Sequence, residues 1–88
     1  MKIQNRTEFV SGGKDWSLNG QLSVRNINSL LGGKVKDIGV SADGKSTHEW
    51  MFYADGKPCQ IWDYKGVRWS ASGPREVFEE LGMRPEVG

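Results

Sequence analysis

The fold is decided by residues 47–70, which read THEWMFYADGKPCQIWDYKGVRWS. Runs rich in aromatic and β-branched residues alternate there with turn residues, as is typical of strands joined by hairpins. The runs are Thr47 to Ala54, Cys59 to Tyr64 and Val67 to Ser70, and a further run at Val35 to Val40 precedes them. We therefore predict an antiparallel meander of three or four strands over residues 35–70.

Turns containing glycine separate these runs. The tetrapeptide Ala-Asp-Gly-Lys occurs at 42–45 and again at 54–57, and its glycine supplies the positive φ that hairpin turns require. Two registers are open for the central hairpin: a two-residue loop pairs Trp50 with Ile61, and a three-residue loop pairs Trp50 with Gln60.

The third turn, at residues 65–66, joins the last two runs, and one possibility is a two-residue loop. It would place Trp62 opposite Trp69 and Asp63 opposite Arg68, and such aromatic and opposite-charge pairs stabilise a hairpin. Successive strand residues alternate between faces. One face of the meander is therefore expected to take the helices, and the other to remain a partly exposed aromatic surface.

Two short helices are expected to pack on one face of this sheet, which makes the fold α+β. Apolar residues recur at helical spacing over 24–31, with Ser23 as the N-terminal cap. A second helix is predicted over 74–81, with Pro74 at its first helical position. Isolated helices of this length are unstable, so both need the sheet for support.

The 88 residues indicate a single small domain over residues 1–88. Residues 1–22 are the hardest to interpret: Thr7-Glu8-Phe9-Val10 is a short strand-like run, and residues 15–18 alternate before the hairpin signal Asn19-Gly20. These strands matter only if they dock onto the later sheet. Residues 84–88 are expected to form a loose tail. The formal net charge of +1 excludes a polyanionic nucleic-acid mimic and a strongly basic nucleic-acid wrapper. The N-terminus lacks the apolar core of a signal peptide, and no apolar run is long enough to span a membrane.

The chemistry-bearing residues are few. Cys59 is the only cysteine and cannot form an internal disulfide, which favours a reducing, cytoplasmic location. His48 is the only histidine, and no nucleophile or metal-ligand cluster is spaced to use it. No glycine-rich phosphate-binding motif is present. We predict no catalytic residue, no cofactor-binding residue and no metal site.

Six of the nine aromatic residues lie between positions 50 and 69. The simplest interpretation is a hydrophobic core, because a small domain needs large apolar side chains. The functional interpretation is an exposed binding face, since aromatic residues and arginine are enriched at interface hot spots. The residues predicted to contact a partner are Tyr53, Tyr64, Lys65, Arg68 and Trp69.

A group of small phage-encoded proteins shares several motifs with this chain. The residues that carry the resemblance are Glu49-Trp50-Met51-Phe52, Asp55-Gly56-Lys57, Ile61-Trp62-Asp63-Tyr64-Lys65-Gly66, Gly73-Pro74 and Phe78-Glu79-Glu80-Leu81. The chain resembles these proteins over residues 26 to 83, and its first third has no counterpart.

The resemblance implies a viral setting more than an activity, and it carries over no binding or catalytic residue. Small phage proteins commonly bind and disable a host machine. The resemblance therefore implies a non-catalytic inhibitor that acts in the bacterial cytoplasm. Its target would be a host protein or ribonucleoprotein, with a CRISPR–Cas effector as the leading candidate. The second candidate function is single-stranded nucleic-acid binding by the aromatic face.

Overall fold

The computed structural model describes residues 1–7, 13–19, 22–40, 42, 44–66 and 68–87. It is a small α+β domain in which two short helices accompany a six-stranded antiparallel sheet. In chain order the elements are β1 (Ile3–Asn5), β2 (Trp16–Asn19), α1 (Val24–Leu30), β3 (Glu49–Ala54), β4 (Lys57–Tyr64), β5 (Arg68–Ser72), α2 (Arg75–Glu80) and β6 (Arg84–Val87).

The strand order across the sheet is β1-β3-β4-β5-β2-β6. The α+β class and the antiparallel meander β3-β4-β5 are confirmed, but the predicted strand number is wrong. Residues 1–22 supply β1 at one edge and β2 between β5 and β6. The alternation at 15–18 falls largely within β2, whereas most of the strand-like run at 7–10 and Gly20 of the hairpin signal lie outside the described residues. The prediction of a loose tail at 84–88 is also wrong, because Arg84–Val87 pairs with β2 as an edge strand.

The predicted strand at Val35 to Val40 is wrong as well. Only one bridge forms there, between Asp37 and Trp50. The Asp37 carboxylate accepts a hydrogen bond from the backbone N–H of Gly39, and Gly39 has a φ of +79°. Asp side chains that bond to the backbone two residues on form a local turn, and this turn ends the pairing after one residue.

The central hairpin takes the first of its two open registers, with Trp50 opposite Ile61. Asp55 and Gly56 have φ values of 50° and 80°, as the type I′ turn of a two-residue loop requires. Of the other Ala-Asp-Gly-Lys segment, position 43 lies outside the described residues.

The loop of the third hairpin is one residue longer than the two-residue loop considered from the sequence. Tyr64 pairs with Arg68 and Asp63 with Trp69, so the loop has three residues, not two. The expected Trp62–Trp69 and Asp63–Arg68 pairs do not form. Because adjacent strand residues point to opposite faces, this one-residue difference moves every residue of β5 to the other face.

The two faces of the sheet have different environments. We call the face that carries Trp50, Phe52 and Ile61 the core face, because these fully buried side chains form one cluster with residues of both helices. Ile27 is the buried residue of α1, and Val77 and Phe78 are those of α2. The opposite surface, which carries Met51 and Trp62, is the open face.

The helix ends follow their sequence signals closely. Ser23 caps α1 by accepting a hydrogen bond from the backbone N–H of Asn26. Pro74 was predicted at the first helical position of α2 but lies at its N-cap, one position before the first helical residue, Arg75. At its C-terminus, Gly82 has a φ of +85° and the N–H of Met83 donates to the carbonyl of Phe78, which is the Schellman arrangement.

Candidate binding surface on the open face of the sheet

The five residues predicted to contact a partner do not form one surface. Tyr53, Tyr64 and Arg68 lie on the open face, because their register partners share a side with Met51 and Trp62. Lys65 follows Tyr64 in the exposed turn between β4 and β5. Trp69 lies on the core face.

The expectation that Trp69 stays outside the core is wrong. Its ring centroid lies 5.7 Å from that of Trp50, and it packs against the buried cluster as a partly buried residue. Its indole N–H donates to the carbonyl of Leu22 at 3.1 Å. The cause is the longer third hairpin loop, which turns Trp69 inward.

Tyr53 is separated from the other predicted contacts. It pairs with Pro58 at one end of β4, whereas Tyr64 ends that strand. At about 3.4 Å per residue the two positions are roughly 20 Å apart along β4. The Arg6 guanidinium lies 5.9 Å from the Tyr53 ring centroid, so Tyr53 already has a packing partner within the chain.

The centre of the open face is closed to a partner. Met51 is 4% exposed, Gln60 9% and Ser70 3%. The amide of Gln60 donates to the carboxylate of Glu49, which is itself buried. A binding partner must therefore approach one end of the face and not its middle.

The accessible end combines aromatic and cationic residues, which we call the basic corner: Trp62, Tyr64, Lys65, Arg68 and Arg84. Leu18 of β2 pairs with both Trp69 and Pro85. Arg68 and Arg84 each come one position before those core-face residues and therefore both point to the open face. Tyr64 is 43% exposed, and both arginines are exposed.

The three cations of the basic corner have no carboxylate partner. Within the described part of the chain, Lys65, Arg68 and Arg84 form no ion pair. The Lys65 ammonium lies 5.4 Å from the Tyr64 ring centroid, a distance at which a cation and an aromatic ring attract each other. Elsewhere, the Lys57 ammonium lies 3.4 Å from the carboxylate of Glu76.

Directly beneath this corner, Asp63 acts as a structural clasp. Its carboxylate accepts hydrogen bonds from the backbone N–H groups of Thr47, His48 and Gly66 and from the Thr47 hydroxyl, at 2.5–2.9 Å. Burial alone would raise the pKa of Asp63, but these hydrogen bonds outweigh it and hold the pKa below the ordinary value. Asp63 thus fixes the turn that carries Lys65.

A second carboxylate, that of Asp37, also holds the start of β3 in place. Asp37 accepts from the backbone N–H of Glu49 at 3.0 Å, and its Oδ2 lies 2.6 Å from Nδ1 of His48. Burial would raise the pKa of Asp37, but hydrogen bonds from His48, Glu49 and Gly39 together lower it. The His48 ring is also stacked on Trp50, with centroids 6.2 Å apart.

Two other chemical features serve the fold. Burial raises the pKa of the Cys59 thiol to about 11, which keeps it protonated and unreactive near neutral pH. A cleft of about 400 Å³ lies where α2 meets β6. Its Arg75 is held by Glu79, 3.9 Å away, and by the carbonyl of Pro85.

Two residues of the corner were missed by the sequence reasoning. Trp62 shares a face with Tyr64 by simple alternation, a signal that was present in the sequence. Arg84 gave no signal, because its position depends on a strand pairing with β2. In the described residues, no group of His, Cys, Asp and Glu side chains could hold a metal ion, and no helix is long and apolar enough to cross a membrane.

The sequence matches no protein-family model, no curated protein and no solved structure. The resemblance to small phage proteins therefore rests on the motif residues alone. Several of those motif residues position strands and hairpins, namely Asp63 and the residues of the two glycine turns.

Proposed function

We propose that the protein is a non-catalytic inhibitor that binds a partner protein through the basic corner. The observation that carries this proposal is the grouping of Trp62 and Tyr64 with three cations that form no ion pair among the described residues, on an accessible end of the sheet. Aromatic and arginine side chains supply much of the energy at protein interfaces. Unpaired surface charges steer encounter and select partners.

The polar chemistry elsewhere supports a binding role over a catalytic one. The carboxylates of Asp37 and Asp63 are occupied by backbone N–H groups, and the one thiol stays protonated at neutral pH. His48 contacts Asp37 and Trp50. These two contacts account for the position of the His48 ring within the fold.

The resemblance to small phage proteins supports the proposal that the protein binds its partner in the cytoplasm of a bacterial host. Its target is a host defence or regulatory complex, a protein or ribonucleoprotein, with a CRISPR–Cas effector first among the candidates. This assignment of the setting and the target rests on the resemblance and not on the geometry of the corner.

The test is a binding and inhibition assay with a panel of purified CRISPR–Cas effector complexes. We expect the protein to co-elute with one effector on size exclusion and to reduce its target DNA binding or cleavage stoichiometrically. The variant R68E should lose both effects, whereas R25E, a charge reversal at an exposed position of α1, should keep them. Equal inhibition by both variants would remove the corner from the mechanism.

A second candidate function is single-stranded nucleic-acid binding, which the same juxtaposition of aromatic rings and cations favours. Bases stack on aromatic side chains while cations contact phosphates. Such binding weakens steeply with salt, with a slope of about −0.7 per neutralised phosphate. With three cations, binding of mixed single-stranded DNA or RNA should weaken about twentyfold between about 50 and about 200 mM salt, and such binding would favour this candidate.

A further inference from the structure

We infer that the basic corner accepts a carboxylate-rich segment of the partner protein, in which acidic residues lie beside apolar ones. This inference rests on the proposed protein-binding function and names the chemistry of the partner. Its basis is charge complementarity between the corner and the segment that would cover it.

The cations of the corner differ from the other cations of the chain in how they are used. Lys57 and Arg75 each lie within 4 Å of a glutamate on α2. Arg68 and Arg84 have no such neighbour among the residues that the structure describes. Their charge is therefore not needed by the fold and is available to an incoming anion.

The spacing of the corner suits carboxylates on a short peptide. Leu18 of β2 pairs with Trp69 of β5 and Pro85 of β6. Arg68 and Arg84 each come directly before those residues, on strands that lie two apart in the sheet. Neighbouring strands are about 4.8 Å apart, so the two arginines are roughly 10 Å from each other at the backbone. Side chains two residues apart on an extended peptide are about 7 Å apart and point the same way, which both guanidinium groups can reach.

Tyr64 and Trp62 define the apolar part of the partner segment. They lie two residues apart on β4 and therefore on one side of it. Tyr64 pairs with Arg68, so an apolar side chain placed on its ring lies next to a carboxylate bound by that arginine. A segment that alternates acidic and apolar residues satisfies both halves of the corner.

Protein carboxylates fit this corner better than a nucleic-acid strand does. Three cations neutralise at most about three phosphates, which gives a shallow salt slope and weak binding at physiological salt. The exposed Glu86 lies two positions along β6 from Arg84, on the same face, and opposes a longer phosphate track. A peptide can instead gain affinity from apolar contacts that salt does not screen.

The experiment uses a fluorescein-labelled glutamate-rich peptide that carries leucine, and the same peptide with glutamine in place of each glutamate. Fluorescence anisotropy at about 50 and about 200 mM salt measures affinity. Amide chemical shifts of the folded protein locate the contact. We expect the acidic peptide to bind about tenfold tighter or more than its glutamine form, and to perturb residues 62–68 and Arg84.

The matched variants separate the corner from the rest of the surface. R68E and R84E should each lower the affinity for the acidic peptide about tenfold, whereas R25E should leave that affinity unchanged. A double variant, R68Q/R84Q, tests the same point without introducing new negative charge, and its folding is checked by its amide spectrum.

Three outcomes would overturn the inference. Equal affinity for both peptides would contradict the inferred role of charge. The effector assay would then still test whether the basic corner binds a partner protein. Peptide-induced shifts away from the corner would place the acidic segment elsewhere. Mixed single-stranded DNA that binds the corner more tightly than the acidic peptide would assign the surface to nucleic acid and overturn the proposed protein partner as well.

Discussion

Two adjacent residues of β4, Asp63 and Tyr64, lie in opposite environments. Asp63 is 1% exposed and its carboxylate accepts four hydrogen bonds. Tyr64 is 43% exposed, and the cations beside it, Lys65 and Arg68, form no ion pair within the described residues. Strand alternation alone separates the two environments.

The comparison divides one short motif into two kinds of residue. Ile61 and Asp63 point to the core face, where they pack and hold the turn, and Trp62 and Tyr64 point to the open face. A sequence motif of this kind can therefore report a fold through its inward positions while its outward positions are set by a partner. Substitutions on the two sides should differ accordingly.

The largest effect is expected for Asp63→Ala. This change removes the acceptor of three backbone N–H groups and one hydroxyl at a buried site, which should cost about 3 kcal/mol or more of unfolding free energy. Urea denaturation of Asp63→Ala and Tyr64→Ala measures the contrast. A loss below about 1 kcal/mol for Asp63→Ala would contradict the clasp.

The next largest effect is expected for Gly73→Ala. Gly73 has a φ of +133°, and an added Cβ would lie 3.1 Å from both Cys59 Sγ and the carbonyl oxygen of Pro58. Positive φ and the crowded backbone should together cost about 2 kcal/mol. Gly13→Ala is the matched control, since a Cβ there meets nothing within 4 Å. Equal stability of the two variants would contradict the close approach.

A smaller effect concerns the pH dependence of stability. The pKa values of Asp63 and Asp37 are lower in the folded protein than the ordinary value of 3.8. Their stabilisation is therefore complete above the unfolded pKa of about 3.9 and is lost as the pH falls below it. Urea midpoints at descending pH should fall less steeply in Asp63→Asn than in the unchanged protein. Parallel curves would show that Asp63 does not titrate with folding.

The existence of the central hairpin could be predicted from local sequence, with two registers left open, whereas the sheet edges could not be predicted. Asp55-Gly56 supports a turn that only residues tolerant of positive φ adopt, and this fixes Trp50 opposite Ile61. Strands as short as Ile3–Asn5 and Arg84–Val87 have no pattern of their own. They form because distant strands offer them hydrogen-bonding partners.

The candidate site, like the sheet, was predictable only where it depends on local sequence. Tyr64, Lys65 and Arg68 lie together because they flank one hairpin turn, which the sequence indicates directly. Trp69 was misplaced because a loop longer by one residue reverses the face of β5. Arg84 joins the corner only through the pairing of β6 with β2, a long-range contact that no local pattern reports.

The smallest effect is expected where the comparison predicts none. Arg68→Ser and Arg84→Ser remove exposed cations without ion pairs in the described structure, so each should change the unfolding free energy by less than about 0.5 kcal/mol. Because the two guanidinium groups repel each other, either change should be neutral or slightly stabilising at low salt, and high salt should remove the difference. Urea denaturation of both variants at low and high salt is the measurement. Destabilisation above about 1 kcal/mol would make these arginines part of the fold and remove the reason for assigning them to a partner.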